Sequence, residues 1–182
     1  MNMKVIACLF FCLILCSCTS IFEFFEEGFY FDEEKFKSEW NLWKKQDIKN
    51  YSFTLKGKLP HWDYAKAKDY YGAILMFGYE VEIIVKNGIM DSFEYIGKTP
   101  SSEPEYTSIS DMYQKIYDDI KSCERYWKKT SDKGCLLSKH YKIKYDPKHH
   151  YITYYEPITN TRSGCILDTD EHEVTVSAFS TL

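Results

Sequence analysis

Apolar and polar positions along the chain fall into two alternating periods. Phe36, Trp40 and Trp43 recur at helical spacing behind Asp32, an N-cap residue, and Glu33 and Glu34 suit the positive end of a helix. Lys44 and Lys45 suit the opposite end, so a helix is predicted over about 33–47. Tyr51, Phe53 and Leu55 then alternate with Ser52, Thr54 and Lys56, the period of a half-buried strand. Tyr79, Val81, Ile83 and Val85 alternate in the same way, as do Ile89, Asp91, Phe93 and Tyr95 after Asn87-Gly88. Asn-Gly between two alternating runs predicts a hairpin. A two-residue loop would pair Val81 with Glu94 and mix the faces. A three-residue loop over Lys86-Asn87-Gly88 pairs Val85 with Ile89 and Val81 with Phe93, and is the reading adopted.

The pattern repeats further on. Ser108-x-x-Asp111 is a variant capping box, and Ile109, Met112, Tyr113, Ile116, Ile120 and Cys123 follow at helical spacing, predicting a helix over about 109–125. Tyr141, Ile143 and Tyr145 alternate with lysines, Asp146-Pro147-Lys148-His149-His150 makes a turn, and residues 151–156 return as a strand. A last strand over 173–179 places Val174, Val176 and Ala178 on one face. The order is α-β-β-β-α-β-β-β, an α+β fold: a single antiparallel sheet of about six strands with both helices on one face. Two amphipathic helices, each ahead of a hairpin, suggest a duplicated unit.

The N-terminus has a different character. Lys4 precedes twelve apolar residues from Val5 to Cys16, and Ser17 and Cys18 follow, the n-region, h-region and cleavage site of an export signal. The apolar run is shorter than the roughly 20 residues of a spanning helix. Leu15-Cys16-Ser17-Cys18 resembles the lipobox of bacterial lipoproteins. The resemblance implies a diacylglyceryl thioether on Cys18, cleavage before it, and N-acylation (palmitate, for example). Two or three acyl chains give stable anchoring where one does not. The expected organisation is a signal peptide over 1–17, a lipidated tether over 18–31 and one domain over 32–182, held on the outer side of a bacterial membrane. The tether carries many aromatics and three glutamates (Glu23, Glu26 and Glu27), which favours packing on its own domain over lying in the membrane interface.

Removing residues 1–17 takes away one lysine and no acid, leaving 22 basic and 27 acidic side chains, a net charge of −5. That balance argues against nucleic acid as a partner and against electrostatic docking on anionic headgroups. Cys123, Cys135 and Cys165 remain beyond the lipid site, an odd number, and Cys123 with Cys135 across a polar loop is the first choice of disulfide.

Several pieces together resemble a bacterial family known only as domain of unknown function 6174. They are Trp40, Trp43 and Asn50-Tyr51-Ser52-Phe53; Val81-x-Ile83-x-Val85-x-Asn87-Gly88; Ser108-Ile109-x-x-Met112-Tyr113; Tyr145-Asp146-Pro147; and Asp168-x-Asp170-Glu171 ahead of Val174 and Val176. The resemblance implies a small exported domain, commonly a lipoprotein, with no established activity and no catalytic residue to carry over. This chain departs from it in an expanded 57–78 segment and in His149-His150, where a residue like glycine is expected.

Candidate chemistry is sparse. Asp168, Asp170 and Glu171 offer oxygen ligands to a cation but lack the full EF-hand loop, and a solvated loop leading into the last strand is the preferred account of them. His149 and His150 are adjacent, not at the i, i+4 spacing of a helical zinc pair. Cys165 and His172 supply the residue types of a cysteine hydrolase without a nucleophile motif. Trp62, Tyr64, Tyr70 and Tyr71 in the aromatic segment are the best ligand-binding candidates, because aromatics dominate interface hot spots; covering a sheet face is their plain alternative. The expectation is a non-enzymatic binding lipoprotein of the cell envelope, facing an envelope protein or cell-wall glycan, with no cofactor. The alternatives are a metal-dependent or cysteine hydrolase and a purely structural lipoprotein.

Overall fold

A computed structural model describes residues 28–58, 79–97, 103–130, 136–161 and 173–182. The elements are β1 (Gly28–Tyr30), α1 (Glu33–Lys45), β2 (Tyr51–Lys58), β3 (Tyr79–Lys86), β4 (Ile89–Tyr95), α2 (Ile109–Thr130), β5 (Leu136–Tyr145), β6 (Ile152–Thr161) and β7 (Glu173–Thr181). The strands form one sheet in the order β1-β5-β6-β7-β2-β3-β4. The α+β class and the two helices agree with the sequence reading. The sheet itself is mixed and has seven strands: β1 lies parallel to β5, pairing Gly28 with Ser138 and Tyr30 with His140. The extra strand comes from the end of the expected tether, where Phe29 and Phe31 pack against the core. Burial of those rings, the outcome favoured from composition, holds the chain there.

Both helix starts are capped as the side chains dictate. Asp32 Oδ1 accepts the Lys35 amide at 2.9 Å. Ser108 Oγ accepts the Asp111 amide at 3.0 Å, while Asp111 Oδ2 reaches one residue further back, to the amide and hydroxyl of Thr107 at 2.9 and 3.1 Å. Each such cap satisfies amides that a helix leaves open. The two helices meet through Trp40, stacked on Tyr113 at 5.7 Å, and Phe36, edge-on to the same ring at 5.3 Å. Below them Phe53, Leu55, Val81, Ile83 and Ile152 are completely buried, each contributing about 1.5–3 kcal/mol by leaving water.

Two registers differ from the sequence reading. The β3–β4 loop has two residues, Asn87 and Gly88, both in the left-handed region at φ 53° and 79°, so Lys86 faces Ile89. The faces are not mixed, because a bulge follows at once: Val85 faces Met90, Ile84 faces Ser92, and Asp91 is left over. One extra residue restores Ile83 opposite Phe93 and Val81 opposite Tyr95. In β7 the alternation breaks after Val176. Ala178 takes φ 50° at a bulge against β2 and turns outward, and Phe179 takes the core position expected for it, against Trp43 and Tyr51.

Candidate functional site

Strand directions sort the connections between two poles. At one pole lie the α1–β2 connection, the β3–β4 turn, the β5–β6 turn and the C-terminus, tied together by direct bonds. Asn50 Oδ1 accepts the Asn87 amide at 2.9 Å, the Gly88 amide donates to Lys49 O at 2.9 Å, and the Leu182 amide donates to Asn50 O at 3.1 Å. His149 and His150 belong to this closed pole. Gln46 Nε2 donates to His149 O at 2.8 Å, with Gln46 Oε1 at 3.1 Å from His149 Nδ1. His150 Nδ1 stands 2.8 Å from Glu39 Oε2, and the Tyr113 hydroxyl donates to His150 O. The two histidines staple the turn to both helices and do not converge on a common point. His150 sits at φ 58°, the conformation that makes glycine the expected residue there.

The other pole is where β1 begins, where β2, β4, β6 and α2 end, and where β3, β5 and β7 start. Residues 59–78, 131–135 and 162–172, which lie outside the described residues, therefore join ends that lie at this pole, whereas the β4–α2 connection leads to the start of α2, where the Ile109 amide donates to the Tyr51 hydroxyl at 3.1 Å. It is also stepped. Tyr155 faces Val174, so β6 runs on for several residues beyond the start of β7, about 15–20 Å at the usual rise of a strand. The projecting ledge consists of β6, β5 and the short parallel β1.

Two side-chain clusters hold β1 to the ledge. On the sheet face away from the helices, Tyr30 stacks on the His140 ring at 4.5 Å with an 11° tilt. His140 Nε2 lies 2.9 Å from Ser138 Oγ, and Asn160 Nδ2 donates to that oxygen at 2.7 Å. Ser138 Oγ thus links the two side chains. The serine is completely buried, so this triad acts as a clasp and presents no nucleophile. On the helix face Phe29 meets Tyr141 at 5.5 Å and Trp127, on the last turns of α2, at 6.5 Å. Sequence periodicity ended α2 near 125; the contact with Phe29 gives the added turn a partner.

The Tyr155 hydroxyl donates to Asp119 Oδ2 at 3.3 Å, and burial pushes its phenol, like that of Tyr106, far above the ordinary range. Both stay protonated at neutral pH. On the open face of β5 and β6, Lys142 and Lys144 lie over the Tyr154 ring, whose hydroxyl donates to Glu156 at 2.6 Å. Lys142 completes that cluster with an ion pair to Glu156 at 3.6 Å.

Of the residues singled out in the sequence, Cys18, Trp62, Tyr64, Tyr70, Tyr71, Cys135, Cys165, Asp168, Asp170, Glu171 and His172 lie outside the described residues. Cys123, half-buried on α2, has no disulfide partner among the described residues; Cys135, its expected partner, lies outside them. Among the described residues no three metal-ligating side chains gather, and no helix is long and apolar enough to cross a membrane. No family model, curated protein or solved structure matches the chain.

Proposed function

We propose that this chain is an exported lipoprotein of the bacterial cell envelope, held through Cys18, whose domain is a binding module and not an enzyme. The observation that carries this reading is the contrast between the poles. One end is closed by short, mutually bonded turns, and the other bears both ends of the long 59–78 and 162–172 connections together with the strand that continues from the tether. A rigid scaffold with its long loops at one end is the usual layout of a recognition module. Trp62, Tyr64, Tyr70 and Tyr71 lie within one of those connections and are the residues we assign to partner contact. An envelope protein or cell-wall glycan is the partner class, and aromatic side chains suit either. Alkylation or removal of Cys123 is expected to leave binding unaltered, since that thiol is on a helix of the core layer.

Photocrosslinking in intact cells tests the reading. A crosslinker at position 62 or 70 should capture envelope material, and one at position 88 or 148, on the closed pole, should not. Equal capture from both poles would refute it. The anchor has its own test: a Cys18→Ser variant should lose acylation, read by mass spectrometry, and an acylated variant would refute the lipid site.

A further inference from the structure

The acidic balance of the whole chain hides an uneven distribution. Over the last turns of α2, from residue 121 onward, Lys121, Arg125, Lys128 and Lys129 stand against Glu124 of the same turns and Glu33 of α1, which lies 3.1 Å from Lys121. Glu124 is shared between Lys121 and, at 2.7 Å, Lys128. Lysines in a last turn complement the helix dipole, which accounts for Lys128 and Lys129 but not for Arg125 or for the aromatic pair between them. Tyr126 is 58% exposed, and Trp127 is half-buried with one side on Phe29. Interleaved cationic and amphipathic aromatic side chains suit an anionic bilayer surface, where aromatic rings sit among headgroups that attract Lys and Arg.

The topology puts this patch beside the point where the tether enters the domain. Phe29 of β1 touches Trp127, and only residues 19–27 separate Gly28 from Cys18. Ten residue steps span at most about 35 Å when fully extended. The α2 terminus is thus among the surfaces held closest to the lipid, and the tether's Glu23, Glu26 and Glu27 set three negative charges against the net three positive ones (four basic less one acidic) of these turns.

We infer that the C-terminal turns of α2, through Arg125, Tyr126, Trp127, Lys128 and Lys129, dock on the anionic phospholipid surface to which the chain is tethered. The inference rests on the Cys18 anchor and adds a fixed orientation: the loop-bearing pole faces the membrane and the closed pole faces away.

Lysine footprinting of the lipidated protein on vesicles tests this. One set of vesicles is phosphatidylcholine alone, and the other contains about a quarter phosphatidylglycerol as the anionic component. Acetylation of Lys128 and Lys129 is measured by mass spectrometry against Lys49 and Lys148, which are exposed at the closed pole. On anionic vesicles the first pair should label about fivefold more slowly relative to the second, as one near-surface charge interaction implies. Roughly 0.5 M salt should erase the difference. Arg125→Glu should erase it too, while flotation with the vesicles is unchanged. Equal labelling ratios on both vesicle types would overturn docking with the anchor intact. Protection by soluble polyglycerol phosphate, with none on anionic vesicles, would overturn it in favour of a wall polymer. Failure to float with either vesicle would defeat the anchor, and the orientation with it.

Discussion

Replacing Gly57 with alanine should destabilise the protein for a reason that a second substitution can isolate. Gly57 faces Tyr79 across β2 and β3, and the tyrosine ring lies over the glycine backbone. A Cβ built on Gly57 would fall 2.4 Å from Tyr79 Cε1, 2.5 Å from Cζ and 2.8 Å from the hydroxyl. Ordinary contact begins near 3.4 Å, so the ring must retreat by about an ångström, away from a site that also packs it edge-on against Tyr95 at 6.4 Å. Overpacking of this size costs about 1–3 kcal/mol. Against it stands a gain of about 0.4–1 kcal/mol, because alanine restricts the unfolded chain and no left-handed backbone is required at Gly57. The net loss should be about 1–2 kcal/mol, or roughly 2–8 °C in Tm for a domain of this size. In a Tyr79→Ala background the obstruction is gone, so Gly57→Ala should become neutral or stabilising. Urea unfolding of the four proteins measures the cycle, and an equal cost of Gly57→Ala in both backgrounds would refute the ring-over-glycine account.

Three other outcomes follow from named contacts. The Tyr79 hydroxyl is buried with no hydrogen-bond partner among the described residues, so Tyr79→Phe should be neutral or stabilise by up to about 1 kcal/mol in denaturant unfolding; a clear loss would mean the hydroxyl is bonded. Hydrogen bonds from Lys37, Tyr117 and Lys121 hold the Glu33 carboxyl at about 2, well below its usual 4.5. A lowered folded-state value stabilises above the unfolded value and is lost as pH falls through the folded one. Because the side chain is 34% exposed, screening reduces the effect to about 1 kcal/mol. Glu33→Gln should therefore cost that much at neutral pH and nothing near pH 2, and a gap unchanged by acid would refute an ionic origin. At His150, φ 58° penalises any side chain, so His150→Ala should be less stable than His150→Gly by about 1 kcal/mol; the reverse ranking would refute strain at that turn.

How much of the fold could be read from sequence depended on whether its cause was local. Asp32 and Ser108 cap helices through amides three residues away, and the Phe36, Trp40 and Trp43 stripe needs only the helical period. The hairpin failed as a register because two compensating local events, a tight left-handed turn and a bulge at Asp91, look identical in an alternation pattern to one longer loop. Ala178 failed for the same reason: a bulge exchanges it with Phe179, and nothing in Val174-x-Val176-x-Ala178 marks the exchange. Gly28-Phe29-Tyr30 is too short to announce a strand, and its partner, β5, lies more than a hundred residues away.

The parallel pairing of that short strand changes where function should be sought. Read as a free tether, residues 18–31 leave the aromatic segment free to face away from the membrane. Once Gly28 is opposite Ser138, the entering chain lies at the start of β5, and β5 starts where α2 ends. Lys58 and Tyr79, the ends of the 59–78 connection, lie at the same pole, because β2 runs antiparallel to β7 and β3, and β7 runs antiparallel to β6. Each step is a register fact about the sheet, so the conclusion needs no knowledge of the loops themselves. An antiparallel β1 would carry the tether to the stapled pole at His149 and His150 and reverse the orientation. Under the proposed Cys18 anchor, the clasp of Tyr30, His140, Ser138 and Asn160, which sits on the paired residues, is therefore the feature that sets which end of the domain the tether reaches.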